Sequence, residues 1–403
     1  MMVRQQPMSK IISVLTAWAC LGVFVLLAGL ALVEDGSRYA TQINLLLFLP
    51  GTLLVVMASD WAVQVRQPAS WLALALLLWA LGSALLNPGG DINIGRWLKL
   101  CLQLLVFLLL IPILLRKPQW FDRALIAAVI IAMLCAWLSL YQNYWVQGHS
   151  LAYRAHRLDA SGLAGVADFG NPILAALFYA ALALLALGLW PRIGQAWKLF
   201  WFLGMCGLWI AVFLTYSRGV WVALGLSALA YWGLTLPRRY FSLLLGGLGV
   251  CALVAVCVAP ALMAKVFLNL THREEIWYYT LQQLEGRWLF GLGPEAPFNA
   301  CVAALKRCFN QAHSLYLQML FEFGVVGVLL LVGLLGALAM SARGRRTNQH
   351  VRIALPMLLF SLVAGVASFH DLFTRPSLAW VFFWLPVAML LVGDSKQRDG
   401  TSA

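Results

Sequence analysis

The chain has 403 residues, 63% of them hydrophobic and only 11% charged, and its mean hydropathy is +0.85. A water-soluble domain carries roughly a quarter charged residues, so this composition excludes a soluble globular protein and calls for lipid as the surrounding solvent. Lipid requires each segment to satisfy its own backbone polar groups, which leaves helices or a closed barrel. The apolar runs are too long for barrel strands and do not alternate with period two. The expected fold class is all-α: a polytopic membrane protein forming a single transmembrane domain over 1–403.

Runs long enough to span a bilayer are predicted near 11–33, 41–59, 70–87, 97–115, 122–146, 171–190, 197–215, 219–236, 240–264, 313–340, 351–369 and 374–393, about twelve transmembrane helices. Pro50-Gly51 interrupts the second and Gly82 the third. The first run is too long for a cleavable signal, and no small-residue cleavage site follows it. With a cytoplasmic N-terminus, 16 basic residues fall on the inner side, from Arg4 and Lys10 to Lys396 and Arg398, against Asp60, Asp122, Asp394 and Asp399. That asymmetry is the positive-inside pattern, and it places both termini in the cytoplasm. The net charge of +13 therefore reports topology and contact with anionic membrane lipid, not nucleic acid. The outer side carries the two long connections, 147–170 and the large periplasmic loop 265–312. Long loops in compact proteins tend to be functional, so chemistry is expected at the outer surface between these two.

Six cysteines lie in spans and suit apolar packing. Cys301 and Cys308 share the large loop, where an oxidising compartment permits a disulfide. A straight helix would hold them about 10 Å apart, so bonding requires a bend.

Three outer positions combine charge with membrane depth. Arg218 sits in Thr215-Tyr216-Ser217-Arg218-Gly219, between two apolar spans with almost no connection. An interfacial arginine can simply snorkel to lipid phosphate, but one held at or below the surface marks a functional pathway. A guanidinium grips phosphate bidentately without losing its charge. Arg273 stands beside Glu274 and Glu275 at the head of a helical pattern that ends in a Gly291-Leu292-Gly293-Pro294 turn; alone it reads equally well as a solvated helix start. His313 lies where the large loop re-enters the membrane. Imidazole suits general-base work near neutral pH, and two nearby arginines would depress its pKa and keep it neutral. Glu322, nine residues on, would point away from the His313 face of the same helix and is expected to be a structural partner for a basic residue. Lys99, Arg154, Arg157, Asp168 and Tyr216 are supporting candidates for a basic cleft. No D-x-D pair, P-loop or H-E-x-x-H motif occurs, and neither cofactor nor metal is expected. A reaction outside the ATP-containing compartment needs a preactivated donor, and a lipid-pyrophosphate-linked sugar supplies a leaving group that arginines stabilise.

Tyr216-Ser217-Arg218-Gly219, Arg273 with Ile276-Trp277 and Gly291-Leu292-Gly293, and His313-Ser314-x-Tyr316-Leu317 resemble the O-antigen ligase family of bacterial inner-membrane glycosyltransferases. The likeness extends to the layout of about twelve spans with one large periplasmic loop. It implies a GT-C-like architecture and a metal-independent, inverting transfer of O-antigen from undecaprenyl pyrophosphate onto lipid A-core at the periplasmic face. Arg218 and Arg273 match arginines that hold pyrophosphate in this family, and His313 matches the residue that activates the acceptor hydroxyl. Ser314 stands where many relatives carry Asn. Within the same superfamily, polymerases tend to have two large periplasmic loops and some carry R-x10-G. Arg154 to Gly165 fits that pattern, but so does Arg238 to Gly249 on the cytoplasmic side. Protein O-oligosaccharyltransferases usually add a larger C-terminal portion, whereas this sequence ends about ten residues after its last predicted span. A lipid-linked sugar transporter is the alternative of a different class, but no repeat halves with paired broken helices are visible.

Overall fold

The computed structural model describes residues 5–57, 66–86, 92–258, 273–302 and 306–392. Arg4, Asp60, Asp394, Lys396, Arg398 and Asp399 of the inner-side tally lie outside these residues, as do 265–272 and 303–305 of the large loop and the ends of the second, third, ninth and twelfth predicted spans. The chain runs through α1 (Gln5–Leu32), α2 (Gly36–Met57), α3 (Pro68–Leu86), α4 (Ile94–Leu114), α5 (Pro118–Val146), α6 (Pro172–Leu189), α7 (Lys198–Leu214), α8 (Arg218–Thr235) and α9 (Arg238–Val258). Then come a short helix, α10 (Arg273–Gln283), a hairpin of β1 (Ala300–Val302) and β2 (Arg307–Phe309), and α11 (Leu315–Arg343), α12 (Gln349–Ala364) and α13 (Trp380–Leu390). Among the described residues, α1 to α7 and α11 are long and apolar enough to cross a membrane. The protein is thus an all-α polytopic membrane protein.

α6 is the centre of the bundle. Ala175 through Leu189 are all buried, and a helix that is hydrophobic all round must be surrounded by protein or lipid on every side. It packs on α5, α7, α8 and α12. The predicted interruption at Pro50-Gly51 does not break α2. Asn44–Phe48 form a π-helical stretch closed by Leu49 N–H donating to Asn44 O. A proline ring collides with the carbonyl four residues back in a regular helix, and the wider turn just before Pro50 gives it room. α1 crosses this stretch backbone to backbone: a Cβ on Gly22 would lie 2.4 Å from the Leu46 oxygen. Gly82 likewise leaves α3 intact.

The eleventh and twelfth predicted spans are corrected. Hydropathy predicts helix over 351–369 and 374–393, but α12 ends at Ala364 and α13 begins only at Trp380. The intervening segment is apolar because it is packed inside the protein: Phe369 and Leu372 are buried, and Trp384 Nε1 donates to Leu372 O (2.9 Å). A sliding window cannot separate a buried loop from a spanning helix. Inner-side charges also prove to be internal. Arg192 pairs with Asp122, His350 Nε2 stands 3.4 Å from the same carboxylate, and together they join α5, α6 and α12. Arg345, 9% exposed, donates to Val392 O and Leu390 O and so satisfies carbonyls left open at the end of α13.

One break in the bundle shapes the end where the large loop packs. Gly324 has φ 64° and ψ −169° inside α11, a conformation essentially restricted to glycine. Orphaned polar groups at membrane depth must find partners, and the segment before the hairpin supplies them. Leu292 N–H donates to Phe321 O (2.7 Å) and Gly293 N–H to Glu322 O (3.0 Å), while Val325 N–H donates to Trp288 O (2.9 Å). From α3, Trp79 Nε1 donates to Phe323 O (2.9 Å) and Ser83 Oγ to Glu322 O (3.2 Å). Gly291-Leu292-Gly293 is therefore more than the predicted turn. It is the piece of the large loop that seals the break.

Candidate functional site

The arginine end of the site is built on the α7–α8 turn. Thr215 Oγ1 accepts from Ser217 N–H (3.2 Å), and Tyr216 takes φ 54° between them, so the chain reverses within three residues and Arg218 starts α8. The long loop 147–170 braces this turn. Arg157 Nε donates to Thr215 O (2.9 Å) and its Nη2 to Ser217 Oγ (3.3 Å). Tyr216 donates its hydroxyl to Leu151 O (2.9 Å), which makes it a strut of the cleft wall. The loop is itself tied to α5, because Asn143 Nδ2 donates to Ala160 O (2.9 Å).

Three guanidiniums converge here. Burial lowers the pKa of Arg273, and the charges of Arg218 and Arg157 lower it further. Burial also lowers Arg157, with Arg154 and Arg218 adding repulsion and Asp159 partly offsetting it. Arginine does not deprotonate in proteins, so this crowding is a standing electrostatic cost that an anion would relieve. The expected supporting residues divide accordingly. Arg157 and Tyr216 are in the cluster, and Arg154 is an exposed neighbour with φ 62°. Asp168 is not brought to it: exposed, it accepts from Gly170 N–H (3.1 Å) in its own turn. Lys99 lies elsewhere, on a separate cavity.

His313 precedes α11 and does not belong to it. The predicted start of that span at 313 is corrected, because His313 has φ 51° and Ser314 is the N-cap. The local fold has a clear cause. Gln318 Oε1 accepts from Ala312 N–H (3.0 Å), and Leu315 N–H donates to Gly365 O (2.7 Å), so the residue between is clamped from both sides. The helical angle used to set Glu322 away from His313 therefore does not apply. The partner of Glu322 is also not the basic residue expected from the sequence: its Oε1 accepts from Gln318 Nε2 (2.7 Å).

The His313 ring meets Phe309 edge to face at 5.4 Å and His370 at 6.1 Å. Its pKa is pushed down to about 4, chiefly by burial, then by the charges of His370, Arg273 and Arg307. Repulsion from two arginines is the sequence-based expectation; burial is the larger cause, and Arg307 takes the place of Arg218. The imidazole is thus neutral across the physiological range and has a free lone pair. His370 Nε2 stands 3.1 Å from Asp371 Oδ2. Sequence reasoning missed His370, Asp371 and Arg307. The adjacent His-Asp pair at the outer end of two apolar runs was the available signal, whereas nothing in the loop marks Arg307.

β2 reaches His313 because Cys301 and Cys308 face each other across the hairpin and are joined by a disulfide, with Cα atoms 3.9 Å apart. The bend that bonding requires is the hairpin turn. A Cys301→Ser, Cys308→Ser protein should lose about tenfold in kcat/KM, since small displacements of positioning groups are costly, while the thermal transition of the helical bundle moves little. A large shift in that transition would show that the hairpin is structural only.

Residues 203–332 match the family model described as O-Antigen ligase. The matched stretch runs from α7 into α11 and contains Arg218, Arg273 and His313. An O-antigen ligase of Pseudomonas aeruginosa is 26% identical over 401 residues, covering 96% of this chain and 94% of that protein. The two matches together bear out the resemblance to the O-antigen ligase family that the arginine, glycine and histidine motifs carry.

Proposed function

We propose that this chain is a glycosyltransferase that ligates O-antigen, taking the glycan from undecaprenyl pyrophosphate and placing it on lipid A-core at the periplasmic face of the bacterial inner membrane. The observation that carries this reading is the convergence of Arg157, Arg218 and Arg273 beside a half-buried, neutral imidazole. Two substrates must meet, one with a leaving group that gains negative charge and one with a hydroxyl that loses a proton. The His313 lone pair takes the acceptor proton as the acceptor oxygen bonds to the anomeric carbon. The bond from that carbon to pyrophosphate breaks with inversion, and the guanidiniums stabilise the charge that develops. Arg157, bonded to the α7–α8 turn, positions Arg218. The helix set, with α8, α9, α12 and α13 completing twelve crossings in a GT-C-like arrangement, is part of the same proposal.

The test is a liposome assay with lipid-pyrophosphate-linked glycan, no nucleotide, chelator present, and either lipid A-core, a second glycan or a peptide as acceptor. Ligated lipid A-core on a gel is the expected product. A peptide product would move the chain to the protein transferases, elongated glycan to the polymerases, and glycan moved across the membrane without a new bond to the transporters. Arg218→Lys and Arg273→Lys should each lower kcat/KM by roughly a hundredfold. Lysine keeps the charge but lacks the fork, so full activity in both would remove the bidentate role.

A further inference from the structure

A second cationic cavity of about 230 Å³ opens between α2, α4 and the segment 373–376. Arg96, Lys99 and Arg375 line it, and Glu295 is the one carboxylate in its wall. That carboxylate is already engaged: Arg96 Nη1 lies 3.3 Å from Glu295 Oε1, and Trp97 Nε1 donates to the same atom at 3.3 Å. Asp35, near Arg375, is likewise occupied as the N-cap of α2, accepting from Ser37 N–H at 2.7 Å. Lys99 and Arg375 have no carboxylate within ion-pair distance among the described residues, so the cavity keeps a positive excess.

Its remaining walls suit a sugar. The indole of Trp97 and the ring of Phe373 form an apolar side, while Gln103, bonded to Asn44 at 2.7 Å, offers amides at the floor. Aromatic faces receive the C–H surface of a pyranose, amides receive hydroxyls, and guanidinium with ammonium receives phosphate oxygens. The cavity and the candidate site share the segment 370–376. Phe373 meets Trp97 (6.4 Å) and Phe323 (5.1 Å), and it follows His370, whose ring faces His313, by three residues. Arg273 acts on His313 from one segment, while the segment that carries His370 runs on to Phe373 in this cavity's wall.

We propose that this cavity binds a phosphate-bearing sugar of the acceptor, with Lys99 and Arg375 on the phosphate and the ring against the wall that Phe373 and the edge of Trp97 form. The proposal rests on the glycosyltransferase reading above and names where its second substrate docks.

The test reads binding with no donor present. The full chain is placed in phosphatidylcholine nanodiscs and titrated with lipid A-core, or with the same lipid after phosphatase treatment. The native protein should bind the phosphorylated form about tenfold more tightly or better. The Lys99→Gln, Arg375→Gln protein should lose that preference, and Lys99→Arg, Arg375→Lys should keep most of it. An unchanged preference in the double Gln protein, or equal weakening toward both acceptors, overturns the proposal. So does an anionic phospholipid that displaces the phosphorylated acceptor and co-purifies with native but not double Gln protein, since the cavity would then hold a membrane headgroup. Acceptor binding without any transfer supports the cavity and overturns the proposed function instead.

Discussion

Replacing His313 with asparagine is expected to lower transfer by about 10²–10⁴-fold, the usual contribution of a positioned general base. Asparagine tolerates the left-handed backbone that His313 occupies better than alanine does, so the fold should survive and donor binding should be little changed. The measurement is single-turnover transfer beside donor affinity, and full activity would remove the base assignment. The pH profile adds an independent check. An ordinary imidazole loses its proton near 6.5, but His313 is held down to about 4. The acid limb of kcat/KM, which reports the free enzyme, should therefore fall well below 6.5. Bound pyrophosphate offsets the repulsion from Arg273, so the limb of kcat should lie higher. Because the folded state binds its proton less readily than the unfolded chain, the contribution of His313 to stability is whole above about 6.5. It is lost progressively as pH falls toward about 4.

Gly324→Ala carries the second large effect, on folding. A Cβ there would stand 2.3 Å from the Leu289 oxygen, at a φ of +64°, and neither atom belongs to a flexible side chain. Strain in that backbone region costs about 1–3 kcal/mol by itself. Relieving it would pull Leu292 and Gly293 off the carbonyls of Phe321 and Glu322, and unsatisfied groups in lipid cost several kcal/mol more. The expected outcome is little folded protein in detergent and loss of transfer in what remains. Gly225→Ala is the control, because nothing lies within 4 Å of the added atom and alanine favours helix by about 1 kcal/mol. A Gly324→Ala protein as stable as this control would show that the break in α11 is not needed.

His313 is conspicuous in the linear sequence and Gly324 is not. Arg218, Arg273 and His313 are polar groups at the edges of apolar runs, and the cost of polarity in lipid makes each conspicuous alone. Gly324 is invisible by that logic, since glycine is common in membrane helices. Only the carbonyls it leaves open, and the Gly291-Leu292-Gly293 segment that closes them, explain it. His370 and Asp371 were hidden because the residues around them are apolar enough to be read as span. Lys99 and Asp168 show the converse. Their charge placed them on the outer side, yet charge alone could not say which cavity each would face.

Composition alone was enough to establish a helical membrane protein, because lipid leaves the backbone few options and apolar length is additive along the chain. Hydropathy also placed most of the helices. Which polar residues meet was decided by the tertiary fold. The reversal at Tyr216, the disulfide-closed hairpin and the packed segment 365–379 bring together groups far apart in the chain, and such contacts depend on close packing that no local pattern encodes.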